Sequence, residues 1–181
     1  MNPLQTEDPV QTFTGQDWRQ LAHTYEQIAL AGEQLPYAFL RRHLDRATDR
    51  HRKHYRCEAG QTMFYIAPDG RIFPCPGFYY LGAGEMEMGH IERGIDTQRQ
   101  EQIVAVHVNH VPACRECWAR YFCGGPCIYQ AVRDNGDLRL PSPSDCQMMR
   151  AMVEFAIRVR LQQVAGGESV SVASAEMQHC N

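Results

Sequence analysis

The chain has 181 residues, with 18 Lys and Arg against 21 Asp and Glu for a formal charge of −3, and 44% of its residues are hydrophobic. That balance gives no support to nucleic-acid binding, which wants a basic surplus and a basic motif interleaved with aromatics, and no membrane association is expected. The length leaves no room for a (β/α) barrel of roughly 200 residues or more beside a second domain.

Residues 1–13 are polar and read as a loose N-terminus. The run from Met1 to Asp8 has neither a basic n-region nor an apolar h-region, so no secretory signal and a cytoplasmic setting are expected. A helical connecting region over 14–50 follows. Its first helix starts at Thr14, with Asp17 completing a capping-box pair. Trp18, Leu21, Ala22, Tyr25, Ile28 and Ala29 mark one face at helical spacing, and Gly32 stops it. The second helix begins near Pro36, a residue suited to a first helical position, and buries Tyr37, Leu40, Leu44 and Ala47. These apolar faces either pack on the following domain or await a partner, with the surface around Trp18, Leu21 and Tyr25 as its docking face. Residues 41–56 are locally basic. Asp45 and Asp49 interrupt them, which favours a solvated helix face over a contact for an acidic peptide or partner.

Residues 51–164 form the second unit. Met63–Ile66 and Arg71–Phe73 flank Ala67-Pro68-Asp69-Gly70, a β-hairpin with turn residues in place, which would bring Cys75 back beside Cys57. Another short strand is expected within Glu85–Ile91. Asp96 can cap a helix over about 97–108, although Val104, Val106 and Val108 also alternate like a strand. Ser144 and Gln147 suggest a capping box, with Cys146 in the first turn of a helix to about Gln163 that buries Met149, Met152, Ala156 and Val159. Residues 165–181 are small and polar and read as a disordered tail. The fold class is a small α+β domain with a hairpin, a cysteine-rich loop and a C-terminal helix, preceded by two connecting helices.

Chemistry concentrates in the cysteines, of which there are 8. Cys57-x12-Gly70-x4-Cys75 comes first, then Cys114-x2-Cys117-x5-Cys123-x3-Cys127 in one loop, then Cys146. A disulfide framework would need an oxidising compartment, for which the N-terminus gives no sign. Structural zinc has a normal half-site in Cys114-Arg115-Glu116-Cys117, but it wants a second pair spaced like the first. Iron–sulfur ligation explains more of the pattern, because cubane clusters draw thiolates from several directions and a crowded loop can feed two of them. Gly124 and Gly125, directly after Cys123, allow close backbone approach to an inorganic sulfide.

The spacing of all seven cysteines resembles the signature of the SPASM domain, the C-terminal auxiliary domain of many radical SAM enzymes that modify peptides and proteins. The stretches Cys57-Glu58-Ala59-Gly60, Pro68 to Cys75, and Cys117-Trp118-Ala119-Arg120-Tyr121-Phe122-Cys123-Gly124-Gly125 are similar to the thioether-forming maturases, among them that of quinohemoprotein amine dehydrogenase. The likeness spans roughly residues 50–160. It implies two auxiliary [4Fe–4S] clusters, the first on Cys57, Cys75 and Cys127, the second on Cys114, Cys117, Cys123 and Cys146. Some members add a cysteine six residues before the Cys57 position. Here His51 stands there, so the fourth ligand of the first cluster is an open site, His51, His54 or Cys180. Cys180 reads more simply as a free tail thiol.

Radical SAM catalysis requires Cys-x3-Cys-x2-Cys. Only Cys123-Gly124-Gly125-Pro126-Cys127 offers the x3 spacing, and Gln130 occupies the third position. S-adenosylmethionine is therefore not expected to bind this chain alone, and no catalytic residue is assigned. The expected role is electron relay or substrate-thiol anchoring beside a separate radical SAM barrel, in peptide or protein maturation. The alternatives are a stand-alone electron-transfer or peptide-binding module, or a structural zinc protein.

Overall fold

The computed structural model describes residues 13–48 and 51–167. The expectations for residues 1–12 and for 168–181, Cys180 included, lie outside them. In chain order the elements are α1 (Gly15–Leu30), α2 (Ala38–Arg46), β1 (Tyr65–Ile66), β2 (Arg71–Phe73), α3 (Pro76–Leu81), a 3-10 turn at Gly84–Met86, β3 (Gly89–His90), β4 (Gly94–Ile95), α4 (Thr97–Val104), α5 (Pro112–Arg115), α6 (Arg120–Cys123), α7 (Ile128–Asn135) and α8 (Pro143–Ala165). Helices dominate, beside one small antiparallel sheet of order β1-β2-β3-β4, which makes the chain α+β.

Thr14 starts α1 as the sequence predicts. Its hydroxyl accepts from the Asp17 amide while Asp17 Oδ2 accepts from the Thr14 amide at 2.7 Å. The start of α2 differs. Tyr37, not Pro36, holds the cap position in extended backbone, and its carbonyl accepts from the Leu40 and Arg41 amides. From there the Tyr37 ring meets Tyr25 edge-on and stays 59% exposed, so it does not join the core.

Ala22, Leu35 and Leu40 pack with Ala151, Met152, Phe155, Ala156 and Val159 of α8, and Trp18 and Tyr25 lie half-buried against the same cluster. Of the two expectations for the α1 face, packing on the following domain describes Trp18 and Tyr25, which lie against α8 of the same chain. Burying a side chain such as Leu40 or Phe155 contributes about 1.5–3 kcal/mol.

Ala67-Pro68-Asp69-Gly70 closes the first hairpin, with the Gly70 amide donating to Ala67 O at 2.9 Å. Tyr65 pairs with Phe73 and Ile66 with Ile72. The strand expected over Glu85–Ile91 is confined to Gly89–His90, because Gly84–Met86 coils into the 3-10 turn. Asp96 caps α4 by accepting from the Arg99 amide at 3.0 Å, and the helix ends at Val104 rather than 108. Val106 and Val108 then turn into a second core with Phe73, Phe78, Met86, Met88 and Val111. Among the described residues no helix is long and apolar enough to cross a membrane.

Candidate metal centre

Cys57 and Cys75 come from the two sides of the hairpin, Cys57 at the surface and Cys75 half-buried at the cap of α3. Cys127 caps α7. Burial pushes the Cys75 thiol up, the Gly77 and Phe78 amides partly offset this, and Cys127 and Cys57 push it further. Cys127 is raised by burial first, then pulled down by the Gln130 amide and by Arg56, with Asp145 and Cys57 acting upward. Cys75 therefore feels both Cys57 and Cys127, and Cys127 feels Cys57.

The other four surround a different space. Cys114 lies in α5, Cys117 in the turn that follows, Cys123 at the end of α6 and Cys146 in the opening turn of α8. All four line one cavity, floored by Met149 and rimmed by Asp145 and Arg150. Cys114 is buried, and its thiol is pushed from 9.0 up to about 12 by burial first and then by Cys146, Cys123 and Cys117. Cys146 is raised by burial, Asp145 and Cys123. Burial is the first cause of each of these shifts, and neighbouring thiols add to it. All seven are free thiols. Among the described residues no three Cys, His, Asp or Glu side chains stand close enough to share a single ion; the four thiols line a common space rather than a point.

Local sequence explains how the second group is held. At Gly124 φ is +86°, and a Cβ there would lie 2.2 Å from Tyr55 O, so only glycine fits. That close approach fastens the segment carrying Arg56 and Cys57 to the cysteine loop. Arg56 then donates to Cys123 Sγ at 3.3 Å and to Asp145 Oδ1 at 3.2 Å, with both charged side chains at least four-fifths covered. One guanidinium joins a neighbour of Cys57, the Cys123 sulfur and a neighbour of Cys146. Cys123 Sγ also donates to Gly125 O at 3.3 Å.

The start of α8 corrects an expectation. Its cap is Ser142, which accepts from the Asp145 amide and donates to Asp134 Oδ2 at 2.5 Å, so a one-sided cap two residues earlier replaces the predicted Ser144–Gln147 box. Pro143 is the reason, since a proline fits the first helical position and moves the cap one residue ahead of it. Cys146 remains in the opening turn.

His54 is exposed and turned to Asn109, whose Nδ2 is 3.3 Å from its Nδ1, with its ring edge-on to Tyr121. His51 lies at the surface, and its carbonyl accepts from Arg46 at 2.7 Å. Arg56, Asp145 and Lys53 adjoin the thiols although the sequence did not assign them to the site. Lys53 and Arg56 were legible only as part of the basic run over 41–56. The partners of Arg56 lie 67 and 89 positions away.

No protein-family model matches the chain, and a search of curated proteins returns no match. The thiol set itself must therefore carry the case. Seven soft donors, four of them lining a shared cavity, have the chemistry that iron–sulfur clusters require, and Arg56 donates a hydrogen bond to one of the sulfurs.

Proposed function

We propose that the chain is a SPASM-like iron–sulfur protein that holds two auxiliary [4Fe–4S] clusters and supports radical SAM-dependent modification of a peptide or protein in a cytoplasmic setting. Cys57, Cys75 and Cys127 would ligate the first cluster, and Cys114, Cys117, Cys123 and Cys146 the second. The observation that carries the reading is the single cavity lined by Cys114, Cys117, Cys123 and Cys146, with Cys75 pushed up in part by Cys127 and Cys57. Bound clusters supply one-electron acceptance and donation at potentials set by hydrogen bonds and exposure. Around them, Arg56 holds Cys123 Sγ and fixes Asp145 against the loop, while the exposed Cys57 leaves the first group reachable by a substrate thiolate.

Catalysis on this reading needs a barrel partner, because Gln130 stands where the third cysteine of the radical SAM motif would be. Reduced, iron-loaded protein incubated with S-adenosylmethionine should release no 5′-deoxyadenosine above a blank. Release by this chain alone would overturn the assignment of an accessory role.

A further inference from the structure

Beside the second thiol group, α2 and the segment after it build a groove of about 510 Å³, within the range of small-ligand sites. Arg42, Arg46, Lys53 and Arg56 line it together with Phe39 and Phe122, and Cys123 forms part of its wall. Among the described residues the sole carboxylate on the lining is Asp45, which is 69% exposed and paired with Arg160 at 3.6 Å. Arg46 is tied to the carbonyls of His51 and Tyr121, and Arg56 to Cys123 and Asp145. Among the described residues no carboxylate pairs with Arg42 or with the half-buried Lys53. Burial holds the Lys53 ammonium below the usual lysine range, with Arg56 and Arg46 adding to the effect. His43 is likewise held down, first by burial, so it brings little charge of its own. Positive charge crowded into a partly covered concavity of an acidic chain is costly until an anion enters.

We infer that this groove is a binding site for a carboxylate-bearing peptide segment, whose acidic side chains pair with Lys53 and Arg42 while its backbone lies against Phe39 and Phe122. The short concavity suits a few residues of peptide better than the extended basic track that single-stranded nucleic acid follows. The segment's identity as part of the maturation substrate rests on the function proposed above; its seating in the groove does not. Seated there, it would lie against the Cys123 wall.

Fluorescence anisotropy of a labelled tetraglutamate peptide on the full-length protein tests this, with iron content measured on the same samples. The tetraglutamate should bind, a tetraglutamine peptide should not, and the affinity should fall with added salt. Arg42→Gln, on the exposed rim, should weaken binding several-fold, and Arg42→Glu with Lys53→Glu by about tenfold or more. Arg93→Glu, on the β3–β4 turn and 75% exposed, should leave it unchanged. Binding lost equally in Arg93→Glu, or an oligothymidine bound more tightly than the acidic peptide, would overturn the proposal. An iron-loaded chain that ignores the peptide sinks the groove and spares the clusters. A chain that takes up no iron but binds the peptide with these variant effects upholds the groove and sinks the clusters.

Discussion

The two sets of thiols proposed as ligands differ in number and in cover. The second has four thiols around one cavity, and its Cys114 is only 8% exposed. The first has three, each from a separate segment, and its Cys57 lies at the surface. On the proposed function, the closed set of four would stabilise the domain and store or pass an electron, and the open set of three could exchange a ligand. Elements follow the same division: the second group draws on the loop and α8, which also carries the helical core, whereas the first rests on a two-to-three-residue hairpin and short helix caps.

Substitutions can break this comparison. Cys114→Ala should have the largest effect, lowering iron from about eight to about four per chain and cutting soluble yield, because ligands of small metal domains carry much of their folding energy. Cys57→Ala should remove a similar amount of iron with a smaller loss of soluble yield. In the unaltered protein, air should bleach the first cluster's absorbance before the second's. Equal yields for the two variants would erase the distinction.

Gly124→Ala should act next, through the backbone. With φ at +86° and Tyr55 O 2.2 Å from the new Cβ, strain of about 1–3 kcal/mol is expected, read as a lower melting temperature and poorer loading of the second group.

A pH series on iron-free protein sharpens the contrast further. Cys114 has a folded value of about 12 against 9.0 for an ordinary thiol, so the folded state keeps a proton that the unfolded state releases. Stability from this source is complete below about pH 9 and should decline from there to about pH 12. Denaturant midpoints should fall over that window, and fall less in Cys114→Ala, where only the raised Cys75, Cys127 and Cys146 still contribute. Smallest of all, Arg56→Gln should leave iron content near normal and lower the midpoint potential of the second cluster, since it removes a donor from Cys123 Sγ. An unchanged potential would mean that Arg56 serves only the ion pair with Asp145.

Long-period features were legible in the sequence. The α1 cap, the Ala67–Gly70 hairpin turn and the buried side of α8, with Met149, Met152, Ala156 and Val159, stand where the pattern puts them. The α+β class follows from them. The short helices α3, α5, α6 and α7 had no readable period, being four to eight residues long and fixed by what they pack on. Pro76 and Pro112 at their starts were the available signals. The β4 strand of two residues was equally silent. Within the site, the cysteines themselves were legible and the family resemblance implied how to divide them, but the Arg56–Asp145–Cys123 contact was not legible, because no local pattern announces a pairing across 89 residues. The basic run over 41–56 was read as a solvated face. Much of it lines a groove instead, since the chain after α2 folds Lys53 and Arg56 back toward Arg42 and Phe122.

Metal and sulfide analysis after anaerobic reconstitution, combined with Mössbauer spectroscopy of the ⁵⁷Fe-loaded protein, tests the central claim most directly. The account predicts about eight irons and eight sulfides per chain, all in cubane clusters, with half of them lost from Cys114→Ala. A colourless protein that binds zinc stoichiometrically and takes up no iron would contradict it.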